Sequence, residues 1–357
     1  MRFIVDKFEV TILSIIALLK RCAIPSLFIS CIAILVASCQ PKNKHEIDLA
    51  DKQISLNVYR FEQDLFSNKV LNTMKVKALR KQYGKFFDLY CHRMIQLPVQ
   101  SDELLAEQLQ QYISDKYIRE VYDESQKKYK HIDGIKHDLT EVFKHYGHYF
   151  PKKNIPNLVT YIAPFNYNVM TMDSILGIGL DMYLGEDYNY YSTLELPQYL
   201  IRSFRKEYIV RDCIKGWFQS EWNVPANAND MLSNMIYQGK LLYFSQALAP
   251  QMHDTIRLGY SAAQLQWCMD NEQKVWQFFI EQKLLYNKTP GTFMKFINDG
   301  NSTNGFPQEA PAKLGGFLGW QIVQSYMNVN PNQSLEQLLL VDNAQQVLSE
   351  SKYKPQK

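Results

Sequence analysis

The chain has 357 residues, 46% of them hydrophobic, and carries 39 basic and 36 acidic side chains for a formal net charge of +3. This length allows a large buried core, and the near balance of charge gives no electrostatic footing for nucleic acid, so that partner class is excluded. Of six cysteines, at 22, 31, 39, 91, 213 and 268, none has CxxC spacing; the three in the body form no disulfide framework. A Cys213 to Cys268 bridge is open to an oxidising compartment, and buried free thiols are the expected state.

At the N-terminus, Lys20 and Arg21 precede the apolar run AIPSLFISCIAILVA, which ends in VASC at 36–39. A basic region, a short apolar region and small residues before a cleavage point describe a secretory signal. A cysteine directly after those small residues resembles a bacterial lipobox. The reading is a lipoprotein signal peptide over 1–38, with Cys39 as the first mature residue, acylated on its thiol and amine. An uncleaved anchor or an ordinary signal peptide is the plainer alternative. Several acyl chains anchor stably, because each buried methylene contributes about 0.8 kcal/mol. Gln40 in place of Asp is compatible with export to the outer membrane, and 39–53 is a polar tether. The expected location is the cell envelope, lipid-anchored at the outer membrane and facing the periplasm.

The body follows over 54–355 as one α+β domain, divided into an N-terminal helical layer at 54–150 and a sheet with C-terminal helices at 151–355. ISLNVY at 54–59 alternates and predicts a first strand. Apolar positions at helical spacing predict helices over about 67–97, then 101–121 behind a Ser101-Asp102 cap, then 131–147. Two prolines break the pattern at 150–156. LVTYIAPF at 158–165 predicts a strand and YNVM at 167–170 a bend or strand.

The stretch DSILGIGLDMYLGEDYNYY at 173–191 reads with a period of two. Leu176, Ile178, Leu180, Met182 and Leu184 fall on one face, and Gly177, Gly179, Asp181 and Tyr183 on the other. Glycine inside a strand marks close approach by another backbone or a ligand, so this face is expected to be a groove. Together the strands predict a small antiparallel sheet. Helices are then predicted over about 198–205, 208–221, 229–248, 261–283, 314–328 and 334–350, with the Gly, Asn and Pro rich segment 298–312 as a loop.

No metal or nucleophile motif is present. HExxH, GxSxG, a P-loop and GxGxxG are all missing, and no catalytic residue, cofactor or metal site is expected. His145 and His148 have a helix-compatible spacing without a third ligand and read as ordinary surface or capping residues. Asp181 reads as a carboxylate among apolar neighbours, which needs a basic partner, a hydrogen-bonded site or an exposed groove. Glu272 on the predicted buried helix invites the same argument, with Lys240, Arg202 or Arg211 as partners.

Several segments taken jointly give a family resemblance. The lipobox, EIDL at 46–49, RFEQDLF at 60–66, LGIGLDMYLG at 176–185, QGKLLYF at 238–244, WCMDNE at 267–272, GWQIVQSYM at 319–327 and SKYKP at 351–355 resemble the gliding motility lipoprotein GldB family over about 39–355. The resemblance implies a process and a place, with no molecular activity attached. More distantly, the order of helical layer, small sheet and two helices is similar to that of predicted zinc peptidases, which implies a zincin-like fold. QGKLLY at 238–243 stands where such enzymes carry EGxAxY, so the metal-binding carboxylate is replaced by the amide of Gln238.

The reading that follows is a non-catalytic envelope protein with a peptidase-like cleft, a pseudo-enzyme holding a motility or secretion partner, with Gly177, Gly179, Asp181, Gln238, Lys240 and Glu272 around a groove. The alternatives are a hydrolase acting on envelope peptides or glycans, and a purely structural scaffold.

Overall fold

The structure is a computed structural model that describes residues 45 and 47–356, apart from 68–69, 99–100 and 227. The predicted signal peptide, Cys39 and residues 40–44 and 46 of the predicted tether lie outside the described residues. Residues from Ile47 onward form one compact unit, which is α+β and predominantly helical, as the sequence predicts.

The chain enters through β1 (Val58–Arg60) and passes at once into α1 (Phe61–Phe66). The predicted helix over 67–97 is divided. Gly84, at φ +53°, separates α2 (Thr73–Tyr83) from α3 (Lys85–Leu89), and a π-helical turn, Tyr90–Met94, ends the run. Ser101 caps α4 (Asp102–Ser114) as expected, its hydroxyl accepting the Leu104 N–H at 3.2 Å. Asp115 breaks the continuation and caps α5 (Lys116–Lys128) with its own carboxylate. Next comes α6 (Asp133–Tyr149).

The sheet has the order β1-β2-β4-β3, where β2 is Asn157–Tyr161, β3 is Val169–Met172 and β4 is Ile175–Gly179. It is mixed, which corrects the antiparallel expectation: β1 with β2 and β2 with β4 are parallel, and only β3 with β4 is antiparallel. The cause lies in the connections. The N-terminal helices and α6 form one long crossover between β1 and β2, and parallel neighbours need such a crossover. Only Asp173 and Ser174 link β3 to β4, and Asp173 takes φ +47°, the left-handed conformation of tight hairpins.

The two faces of the sheet pack on different cores. Leu158, Leu176 and Ile178 join the larger core with α6 and the C-terminal helices, whereas Val159, Tyr161 and Met170 join a smaller core with the helices of 61–113. The long period-two strand read at 173–191 ends at Gly179, where a 3-10 turn, Leu180–Tyr183, takes over.

The C-terminal half builds on α7 (Ile209–Glu221) and α8 (Met231–Leu248), then α9 (Asp254–Leu258), α10 (Ala262–Asp270) and α11 (Glu272–Glu281). Asn271 splits the predicted 261–283 helix in two. After the loop come α12 (Leu314–Val329), α13 (Leu335–Leu340) and α14 (Ala344–Ser351). The pair α8 and α12 forms the central crossing, and two glycines explain why. A Cβ on Gly239 would stand 2.2 Å from the Gly319 carbonyl oxygen, and one on Gly319 would stand 1.9 Å from that of Met235. Cys91, Cys213 and Cys268 are free and buried.

Candidate functional site

The residues expected around one groove do not converge. Gly177 pairs with Val159 and Gly179 with Tyr161 across β2 and β4, and the space above both glycines is taken by the Tyr161 ring. A Cβ on Gly177 would come within 2.6 Å of Met170 Cγ and 2.9 Å of Tyr161 Cε1, and one on Gly179 within 2.1 Å of the Tyr167 carbonyl. The glycine-lined face is therefore packed interior, and β4, with strands on both sides, has no edge to offer. The groove reading of Gly177, Gly179 and Asp181 is corrected accordingly.

Asp181 is fully buried in the 3-10 turn. Its carboxylate accepts the backbone N–H groups of Phe165 at 2.8 Å and Ala163 at 3.3 Å, so of the alternatives a hydrogen-bonded site is the one found. Burial pushes its pKa up to about 7. The carboxyl clasps the loop after β2, in which Phe165 takes φ +54°.

Lys240 and Glu272 also have structural partners. The Lys240 ammonium donates to the carbonyls of Leu339 and Val341 at the C-terminal end of α13, and burial lowers its pKa to about 8. Glu272 has none of the three basic partners considered for it. Its carboxylate accepts from the Tyr353 hydroxyl at 2.7 Å and from the Gln356 N–H at 3.3 Å, tying down the C-terminal tail. His145, on α6, has Nδ1 3.0 Å from the Glu141 carbonyl of its own helix, while His148 is exposed one turn on.

Gln238 does reach a cleft. Held by the Gly239 crossing, it lines a depression of about 510 Å³ between α7, α8, the end of α9 and the segments around 199–205 and 299–317. The volume suits a ligand pocket, typically about 300–1,000 Å³. The lining is basic: Arg202, Arg205, Arg211, Lys215, Arg257 and Lys313 face Glu186, Asp212 and Asp299.

Arg211 and Lys215 lie four apart on α7 and so share a helix face. The Arg211 guanidinium pairs with Asp212 at 2.6 Å and lies 4.3 Å from the centre of the Tyr208 ring. Asp212 also accepts from the Tyr183 hydroxyl at 2.9 Å and from Asn168 Nδ2 at 3.2 Å, which links the cleft to the turn that carries Asp181. Lys313 stands at φ +60° before α12, pairs with Asp299 at 2.7 Å and donates to the Leu258 carbonyl at 2.9 Å. Burial lowers its pKa. For Asp299, burial pushes the carboxyl upward, but the charges of Lys313, Lys215 and Arg211 outweigh it and hold the pKa below the ordinary value.

Arg257 is spent on structure: it donates to Ser245, Ala249 and Met252 and pairs with Asp254. Arg205 lies 3.6 Å from Glu186. Arg202 and Lys215 are exposed, and their side chains make neither a hydrogen bond nor an ion pair among the described residues.

Sequence reasoning named Arg211 and Arg202 only as partners for Glu272 and passed over Lys215, Asp299 and Lys313. The signal was RDCIK at 211–215, a polar face opposite the apolar stripe of Ile214, Trp217 and Phe218. Asp299 and Lys313 lie at the ends of the loop read as 298–312, and no local pattern announces their pairing.

Among the described residues, no helix is long and apolar enough to cross a membrane, and no three His, Cys, Asp or Glu side chains stand close enough to hold a metal ion. Searches of curated proteins and of solved structures gave no match. A scan against family profiles matches residues 42–355 to the gliding motility protein GldB family. That span covers most of the chain, and the chain belongs to the GldB family of gliding motility proteins.

Proposed function

We propose that this chain is a non-catalytic binding protein of the gliding motility machinery, tethered to the outer membrane through lipid on Cys39, and that the basic cleft holds an envelope protein partner. One observation carries the reading: the polar side chains that α7 and α8 bring to the cleft are Arg211, Asp212, Lys215, Gln219, Gln238 and Ser245. A zincin-like metal helix would carry histidines at i and i+4 with a glutamate after the first. The polar residues that α7 brings to this cleft are Arg211, Asp212, Lys215 and Gln219, with no histidine among them, and the amide of Gln238 comes from the following helix.

Guanidinium and ammonium groups have donors and no acceptor lone pair. Asp212 is already engaged by Arg211, Tyr183 and Asn168. This donor set does not fit zinc; it fits an anionic guest. The scaffold would thus have kept a peptidase-like cleft and exchanged metal chemistry for recognition.

The test combines metal analysis of purified protein, a peptide and glycan cleavage screen, and in-cell photocrosslinking from Gln219, an exposed residue of the cleft wall. Capture of a defined envelope protein from Gln219, lost on Lys215→Glu, supports the reading. Stoichiometric zinc together with cleavage that Asp212→Asn abolishes would replace it with the hydrolase.

A further inference from the structure

We infer that the guest of this cleft is an extended acidic peptide, its carboxylates met by Arg202 and Lys215 and its backbone lying along the outer edge of β3. The inference rests on the binding reading above and names the chemistry of the partner segment.

Charge is the first argument. The cleft presents more basic than acidic side chains, and its three acids are matched to Arg205, Arg211 and Lys313. Arg257 is saturated by its own surroundings. The side chains of Arg202 and Lys215 are left over, exposed and without a hydrogen bond or ion pair of their own among the described residues.

The chain's own use of the site gives a second argument. Asp299 sends a single carboxylate into the combined field of Lys313, Lys215 and Arg211. The pocket thus already receives a carboxylate from a loop. A phosphate, with its higher charge, would meet the Asp212 and Asp299 carboxylates at close quarters, where like charges repel. Singly charged groups spaced along a chain avoid that conflict.

The third argument is the strand. β3 is at the edge of the sheet and pairs only with β4. The Gly179 N–H donates to the Asn168 carbonyl at 2.9 Å, so the alternation of an antiparallel ladder turns the N–H and C=O of Thr171 away from β4. The outward N–H of Val169 is taken by Asn168 Oδ1 at 2.9 Å, so the edge offers a further strand the N–H and C=O of Thr171. It also stands at the cleft: Asn168 and Val169 line the wall, and Val169 closes on Gly216 of α7, where a Cβ would lie 2.8 Å from Val169 Cγ1.

The experiment uses the full chain purified in detergent and fluorescence anisotropy with a labelled Asp/Glu-rich octapeptide. Its probes for comparison are a Lys-rich octapeptide, the acidic peptide N-methylated at alternate residues, and inorganic phosphate as competitor. The acidic peptide binds and the basic one does not. Lys215→Glu and Arg202→Glu each weaken binding about tenfold or more, whereas Lys81→Glu, the same charge change on α2, leaves it unaltered. N-methylation, which removes strand donors, weakens binding as well. Circular dichroism of each variant confirms the fold.

An acidic peptide that does not bind, an equal loss with Lys81→Glu, equal binding of the N-methylated peptide, or displacement by phosphate at comparable concentration each overturns the inference. Partner capture from Gln219 alongside failure of the acidic peptide would sink only this inference. Zinc-dependent cleavage would sink the binding function beneath it.

Discussion

The ring of Tyr161 lies where a side chain on Gly177 would have to stand, with Cε1 only 2.9 Å from the position of a Cβ there. The two residues are on neighbouring parallel strands, and the aromatic ring covers the gap that the glycines leave. Gly177 and Gly179 differ in what blocks them. At Gly177 the nearest atoms belong to the flexible Met170 side chain, but at Gly179 the obstacle is the backbone carbonyl of Tyr167. Gly177→Ala should cost about 1–3 kcal/mol, the usual range for overpacking a core, and Gly179→Ala more. Urea denaturation of both variants checks the order; equal losses would contradict this packing.

Asp181 predicts a pH dependence with a definite sign. Burial raises its pKa in the folded state from the ordinary 3.8 to about 7. Between those values the folded protein holds a proton that the unfolded chain has released, so this group's contribution to stability falls as pH rises and is level above the folded value. The difference amounts to roughly 4 kcal/mol. Asp181→Asn should flatten the stability profile across that window, as measured by denaturant midpoints at stepped pH. A profile unchanged by the substitution would remove Asp181 as its source.

The crossing of α8 and α12 makes the sharpest packing prediction. Gly319→Ala would drive a methyl group to 1.9 Å from the Met235 carbonyl, and Gly239→Ala to 2.2 Å from that of Gly319. Both obstacles are backbone, so the helices must separate, at a cost of about 3 kcal/mol or more. Gly316→Ala, on the same helix, meets only ordinary contacts at 3.6 Å or beyond. It should be close to neutral, or stabilising by about 0.5–1 kcal/mol through helix propensity. Thermal melting of the three variants separates helix propensity from crowding.

At the C-terminus the Tyr353 hydroxyl donates to Glu272, and its ring sits edge-on to Trp276 with centroids 5.4 Å apart. Tyr353→Phe keeps the ring contact and removes the donor from a buried carboxylate, which should cost about 1–3 kcal/mol. With Glu272→Gln the pair should show a coupling of about 0.5 kcal/mol or more in a double-mutant cycle. Additive losses would mean the hydrogen bond contributes nothing.

Helical periodicity made most of the helical body legible in the sequence, because α4, α6, α7, α8 and α12 each bury a continuous stripe. Breaks were harder to see. Asp115 and Asn271 interrupt apolar patterns that continue in register on both sides, so periodicity joined what local capping separates. Parallel pairing in the sheet depends on residues far apart in the chain and leaves no local mark.

The glycines of β4 were legible as a place of close approach, but only the neighbouring strand reveals that Tyr161 is what approaches. The same limit applies to the cleft. Gln238 was found through its motif, but Arg211, Lys215, Asp299 and Lys313 meet only because α7, α12 and the loop between 299 and 313 fold to one spot.

The register of β1 on β2 joins Val58 to Leu158 and Arg60 to Thr160, and the smaller core needs Val159, Tyr161 and Met170 to close against the helices before them. In a polypeptide delivered from its N-terminus, those early helices can pack on one another, but their core stays open on one side until the second and third strands arrive. Local helix can form at once, but the long-range closure of such a sheet is slow. Completion of the smaller core therefore waits on the middle of the chain, and until then the face that receives Val159, Tyr161 and Met170 is left to water.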